Sequence, residues 1–251
     1  MKIIIANNYE EMSKKAAEEF KNKLDDIKVM GLATGSTPVG MYKELAKLYE
    51  NGKISFKDKI SVNLDEYIGL PTGHKESYRE FMNDNFFNHI DIDKNNTYVP
   101  FAKSENDVEA CDKYDEILKN NPVDLQILGI GENGHIAFNE PDENLKYSTN
   151  IVKLTDSTIE ANARFFNSKD EVPTHAISMG VGKIMEAKEI FVLANGKKKA
   201  DAVKRLLFSD DITCSCPVTL LKLHSNVTLF IDGEIATELG IKENFTKWKE
   251  K

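Results

Sequence analysis

What most limits the architecture open to this chain is an alternation. Short, almost continuously apolar runs recur between longer stretches with helical spacing. The runs are KIII (2–5), VMGLA (29–33), ISVNL (60–64), TYVP (97–100), DLQILGI (124–130), IVKLT (151–155), HAISM (175–179), EIFVLA (189–194) and VTLFID (227–232). Strands of this kind want cover on both faces, as parallel strands beneath helices have. Helices between them come from EEMSKKAAEEFKNKL, PVGMYKELAKLYE, NDVEACDKYDEILKN and KKADAVKRLL, and Ser77-Tyr-Arg-Glu80 reads as a capping box opening another. The order predicts an α/β fold with a doubly wound, mostly parallel sheet and helices on both faces. With no linker-like stretch or repeat, residues 1–251 read as a single domain. In open sheets of this kind the site lies at the carboxyl ends of the strands, near the switch point.

Composition narrows the partners. A net charge of −8 argues against non-specific binding to nucleic acid or an anionic membrane. No apolar run approaches the roughly 20 residues that span a bilayer. The start, MKIIIANNYEEMSKK, lacks the pattern of a signal peptide. Three cysteines, Cys111, Cys214 and Cys216, fit a reducing, cytoplasmic setting better than a disulfide framework. Cys214-Ser-Cys216 alone does not complete a zinc site, so buried thiols are expected there.

Three loops that follow strand candidates could carry chemistry. In Ala33-Thr-Gly-Ser-Thr-Pro38, Gly35 permits a tight turn, Ser36 and Thr37 offer hydroxyls and amides, and Pro38 suits a first helical turn. A helix start with free amides suits a phosphate, although an ordinary turn reads the same way. In Asn63-Leu-Asp65-Glu66-Tyr67, carboxylates leave a buried strand. A carboxylate at that edge could abstract a proton if partial burial raises its pKa, but taken alone the stretch reads more simply as a turn begun by Asp65 with Glu66 solvated. The third loop, GIGENGHIAFNEP (129–141), opens with the G-x-G-x-x-G spacing of a dinucleotide loop. Pro141 and the Asn139-Glu140 pair leave little room for the helix that should receive a pyrophosphate. His135 has a near acidic neighbour in Glu140, a pairing that orients an imidazole. Arg164 and Lys199 could each neutralise a phosphate, whereas Lys197 and Lys198 read as solvated charges.

Taken together, ATGSTP, NLDEY, LGIGENGHIAFNEP, the NARFF segment, THAISMGVGKIMEAKEI and the GKKKA helix resemble the glucosamine-6-phosphate deaminase family over essentially the whole chain. The resemblance implies a Rossmann-like α/β fold without a nucleotide, and no metal or organic cofactor. It implies conversion of glucosamine 6-phosphate and water to fructose 6-phosphate and ammonia, as in amino-sugar catabolism. Asp65 would move the proton between C2 and C1. His135 would open the pyranose, with Glu140 paired to it and Asn133 beside them. Gly35, Ser36, Thr37, Arg164 and Lys199 would hold the phosphate, and the glycines of 129–134 would make room for the sugar ring.

Two departures bear on this. Many members carry Asp where this chain has Asn133, which can hydrogen-bond but carries no charge. Hexameric members bind N-acetylglucosamine 6-phosphate through basic residues whose positions here fall on Asn150 and Val152, so such activation is expected to be absent. The chain also ends soon after Trp248, short of longer members. A monomer or small homo-oligomer is therefore expected rather than an allosteric hexamer. A galactosamine-6-phosphate deaminase, a 6-phosphogluconolactonase and a non-catalytic sugar-phosphate sensor remain alternatives, with an NAD-binding module behind them. The start at the first strand, with no helix-turn-helix ahead of it, speaks against the sensor.

Overall fold

The computed structural model describes residues 1–166 and 168–242; Asn167 and residues 243–251, with Trp248, lie outside them. The strands are β1 (Lys2–Ile5), β2 (Val29–Leu32), β3 (Ile60–Asn63), β4 (Asp65–Tyr67), β5 (Thr97–Tyr98), β6 (Leu125–Gly129), β7 (Asn150–Lys153), β8 (His175–Ser178), β9 (Glu189–Ala194) and β10 (Val227–Ile231). The helices are α1 (Tyr9–Lys23), α2 (Ser36–Glu50), α3 (Tyr78–Asn85), α4 (Val108–Asn120), α5 (Asp156–Asn162), α6 (Val181–Met185), α7 (Ala200–Phe208) and α8 (Gly233–Leu239). Seven strands form one sheet in the order β1-β10-β9-β6-β2-β3-β5, and every pairing in it is parallel.

The order of the strands dictates where the helices go. From β1 to β2, β3 and β5 the chain steps one way across the sheet; from β5 to β6, β9 and β10 it steps back. Right-handed crossovers then put α1 and α2 on one face and α4 and α7 on the other. Strands covered on both sides should be apolar throughout, and β2 and β10 are buried along their whole length. Phe191, Val192, Leu229, Phe230, Leu32 and Ile127 form the centre of this core. Each such side chain contributes roughly 1.5–3 kcal/mol on full burial. The direction of winding reverses between β2 and its neighbour β6. The crevice above that reversal is where an open sheet binds its ligand.

Two expected members of the parallel sheet are not in it. Residues 150–153 and 175–178 pair antiparallel with each other, and 175–178 pairs antiparallel with 65–67, in a separate three-stranded sheet β4-β8-β7. A short apolar run signals a buried strand but not the direction of its ladder. Here the burial comes from a second cluster, in which Ile177 packs with Ile68, Ala110 and Cys111 and with the flank of Ile151. Asp65 accordingly sits on a strand rather than in a turn, opposite Ser178.

Local signals fare unevenly. Ser77 caps α3, its hydroxyl accepting from the Glu80 amide at 3.2 Å. The reciprocal half of the box is not made, because the Ser77 amide donates to the His74 carbonyl at 2.8 Å. TYVP shrinks to Thr97–Tyr98, and Pro100, without an N–H, cannot extend the ladder. Among the described residues no helix is long and apolar enough to cross a membrane.

Candidate active site

The carboxyl ends of β2, β3, β6 and β9 lie on one edge of the sheet, and each supplies a loop. After β2, Gly35 takes φ 93° and ψ 170°, in the half of backbone space that favours glycine, and this swings the chain into α2. No side chain caps α2, so its first amides are left for a ligand. Two tyrosines brace the turn from behind. The Tyr9 hydroxyl donates to the Ser36 carbonyl at 3.0 Å and accepts from the Gly40 amide at 2.8 Å. The buried Tyr42 hydroxyl donates to the Ala33 carbonyl at 2.7 Å.

The loop after β9 meets this one directly: Thr37 Oγ1 donates to Asn195 Oδ1 at 2.7 Å. Four residues on, half-buried Lys199 stands at the N-cap of α7. Burial holds its ammonium below the usual lysine range, and Glu132 only partly opposes this. Among the described residues its ammonium makes no hydrogen bond or ion pair. A partly desolvated, unmatched cation beside free helix amides favours an anion. Lys197 and Lys198 point outward, with side chains 71% and 82% exposed, toward Glu238 and Glu132.

After β3 the chain enters β4 with Asp65 and Glu66 both 6% exposed. The two adjacent carboxylates have opposite fates. Glu66 is not solvated: it accepts from the amides of Tyr67 at 2.8 Å and of Tyr78 and Arg79, each at 2.9 Å, the last two in the first turn of α3. It is a structural acid holding a helix start. Asp65 has no hydrogen bond to its carboxylate among the described residues. Burial, together with the charge of Glu66, pushes it up to about 8. A buried carboxylate with its proton held near neutrality is equipped to move protons.

The glycine loop after β6 shapes the third wall. Gly131 does not clear space for a ligand; a Cβ there would run into the His135 ring, so the glycine makes room for the imidazole itself. Asn139 fixes the far end, its Nδ2 donating to the carbonyls of Ile136 at 3.0 Å and Met179 at 2.9 Å. Between them, Ala137 takes φ 52°, which costs an L-residue about 1–2 kcal/mol. Asn133, His135 and Glu140 come together. His135 Nδ1 lies 3.2 Å from Glu140 Oε2, Asn133 Nδ2 donates to the same oxygen at 2.7 Å, and Asn133 Oδ1 accepts from the His135 amide at 3.1 Å. Burial works to raise Glu140, but the hydrogen bond and charge of His135, with the Asn133 and Thr158 donors, bring it down to about 2. Glu140 therefore stays ionised and presents the imidazole with a fixed acceptor.

Asp65 and His135 are tied to a common wall. Ser178 pairs with Asp65 in the small sheet, its hydroxyl accepts from the Phe138 amide at 3.3 Å, and the next residue, Met179, donates its amide to the Leu64 carbonyl at 2.8 Å. Arg164 is exposed on the 3-10 turn Ala163–Phe165 after α5. Its segment reaches the site through Thr158, whose hydroxyl donates to Glu140 Oε1 at 2.8 Å. Sequence reasoning missed Thr158 and Asn195. The pattern Thr155-x-x-Thr158 announces only a helix cap, which it also is. Cys111 and Cys216 are buried and Cys214 half-buried, all as free thiols. Among the described residues no three His, Cys, Asp or Glu side chains gather as a metal site.

A doubly wound sheet whose switch point gathers an anion cradle, a histidine–carboxylate pair and a desolvated carboxylate defines an acid–base enzyme of phosphorylated small molecules. The chain belongs to the glucosamine-6-phosphate isomerase/6-phosphogluconolactonase family, which it matches over residues 6–230. It is 54% identical over 240 residues to a glucosamine-6-phosphate deaminase of Thermoanaerobacter sp. (strain X514), covering 94% of both chains. It is 52% identical over 242 residues to one of Clostridium perfringens (strain 13 / Type A), covering 94% of this chain and 98% of that one. A solved structure of a monomeric glucosamine-6-phosphate deaminase superposes with a TM-score of 0.90 at 41% identity, over 95% of this chain and 100% of the other. The 6-phosphogluconolactonase of Trypanosoma brucei shares the fold, at a TM-score of 0.74 and 19% identity, over 95% and 98%.

Proposed function

We propose that this enzyme converts glucosamine 6-phosphate and water to fructose 6-phosphate and ammonia. The observation that carries the reading is Asp65: a buried, unbonded carboxylate on the same wall as a histidine–glutamate pair. A lactone hydrolysis has no proton to move between C2 and C1. The amides of Gly35, Ser36 and Thr37, with Lys199 and Arg164, take the phosphate and anchor the substrate by the end remote from the chemistry. His135, held by Glu140 and Asn133, accepts the proton from O1 and returns one to O5, opening the ring. Asn133 serves without a charge, because its amide donates to Glu140 while its carbonyl accepts from the His135 backbone.

The open-chain sugar then brings its C2 ammonium toward Asp65. An adjacent cation opposes what burial does to the carboxylate and favours the ionised base. Asp65 removes the proton from C2, the ammonium gives up a proton as O1 gains one to form an enolamine, and Asp65 then delivers its proton to C1, leaving an iminium at C2. Water adds to that carbon, and ammonia leaves as the ketone forms. These steps call on no metal or organic cofactor.

We further infer a single-domain, cytoplasmic enzyme that works as a monomer or small homo-oligomer, without activation by N-acetylglucosamine 6-phosphate, since Asn150 and Val152 offer no charge. The test is incubation with glucosamine 6-phosphate, galactosamine 6-phosphate and 6-phosphogluconolactone in parallel. Ammonia and fructose 6-phosphate in equal amounts from the first support the reading. Lactone hydrolysis alone, or ammonia only from the galactosamine ester, would overturn it.

A further inference from the structure

Glu140 has two oxygens, and the histidine uses one. Oε2 serves His135 and Asn133, while Oε1 accepts from Thr158 Oγ1 at 2.8 Å. Thr158 is itself fixed: its hydroxyl accepts from the Thr155 hydroxyl at 2.9 Å, and its amide donates to Thr155 Oγ1 at 3.2 Å. The donors and acceptors run in one direction, from the Thr155 hydroxyl to the Thr158 hydroxyl to the Glu140 carboxylate. A carboxylate held at both oxygens loses its freedom to rotate about the last side-chain bond, so Oε2 is kept facing the imidazole.

The second consequence concerns the chain. Thr158 lies in the first turn of α5, and Arg164 follows on the 3-10 turn after that helix. The segment proposed to reach the phosphate is thus docked on the carboxylate that orients the ring-opening histidine. We propose that Thr158 is a positioning residue that fixes Glu140 toward His135 and couples the Arg164 segment to ring opening. The role rests on the assignment of His135 and Glu140 to ring opening. A hydroxyl is required for it; shape alone is not enough. Thr158 is half-buried, so valine can replace it without opening a cavity.

The experiment compares Thr158→Val with Thr158→Ser in the full-length enzyme. A hydrogen bond to a charged group is worth about 1.5–3 kcal/mol, hence roughly 10- to 100-fold. Thr158→Val should lower kcat for glucosamine 6-phosphate by that factor. Thr158→Ser should stay within about threefold of wild type. Equal impairment of the two variants would reduce Thr158 to packing, and a fully active Thr158→Val would remove the role. A second readout, independent of turnover, is the His135 ring signal in proton–nitrogen NMR of the unliganded protein. It should shift in Thr158→Val and return in Thr158→Ser; no shift overturns the proposal even if kcat falls. Should the wild-type enzyme release no ammonia, the functional reading fails while the NMR comparison still judges the Thr158–Glu140–His135 linkage.

Discussion

Replacing Asp65 by Asn should do two opposite things: abolish turnover and stabilise the fold. The carboxyl is raised from its ordinary 3.8 to about 8 by burial and by the charge of Glu66. An acid raised on folding binds its proton more tightly in the native state. Stability is therefore fully present below the unfolded value and is lost as pH climbs from about 4 through about 8. At 1.36 kcal/mol per unit, the raised carboxyl, mostly protonated in the native state at pH 7 but ionised in the unfolded chain, costs the fold about 4 kcal/mol there. Asn carries no such charge, but its amide must find partners in a pocket that offers none to the carboxylate, which returns roughly 1–3 kcal/mol. The variant should then be about 1–3 kcal/mol more stable at pH 7. The cleaner signature is the slope: between pH 5 and pH 7 the gap in unfolding free energy should widen by about 3 kcal/mol in favour of Asn. Urea unfolding of both proteins at pH 5, 6, 7 and 8, without ligand, measures it. A gap that does not change with pH would refute the reasoning, because Asp65 would then be titrating at its ordinary value in the folded protein.

Glu140→Gln should act in the other direction. Glu140 is depressed to about 2, so its ionised form contributes stability that is present above pH ~4.5 and disappears as pH falls through about 2. Thermal melts should show the variant below wild type at pH 7, with the difference closing toward pH 2, and kcat should fall by roughly 10- to 100-fold. Lys199→Ala should raise KM for the sugar phosphate by about tenfold or more while changing kcat less than about threefold, and inorganic phosphate should inhibit it less. Gly131→Ala puts a methyl where the His135 ring lies; circular dichroism should keep the wild-type spectrum while kcat drops at least about 100-fold.

How far the sequence reveals this molecule depends on the range of the interaction. The seven parallel strands are legible because burial on both faces leaves continuous apolar runs such as EIFVLA and VTLFI. The antiparallel trio is not, since IVKLT and HAISM would read the same in either ladder. Asp65-Glu66-Tyr67 reads as a charged exit from a strand; only pairing with β8, whose residues lie more than a hundred positions on, makes it a strand. Glu66 shows the same limit: the amides that bury it belong to Tyr78 and Arg79. His135, Asn133 and Glu140 are readable because they meet within one loop. The cradle of Thr37 and Asn195 is joined across 158 positions, and the hydroxyl of Thr158 hides behind its duty as a helix residue.

The small sheet also says something about how this scaffold can change. The stretch carrying Thr158 and Arg164 leaves from β7 and returns into β8, and its neck is closed by the Leu154 amide donating to the Thr174 carbonyl at 2.8 Å. For a loop sealed at its base, doubling the length adds only about 0.6 kcal/mol. The neck holds β7 and β8 together and β8 keeps Asp65 in register, while Ile159 and Phe166 of the insert pack against the small cluster of Tyr67, Phe138 and Leu154. Extra length between Leu154 and Thr174 is therefore cheap in chain entropy, whereas recoding Thr158, Ile159 or Phe166 disturbs contacts to Glu140 and to that cluster.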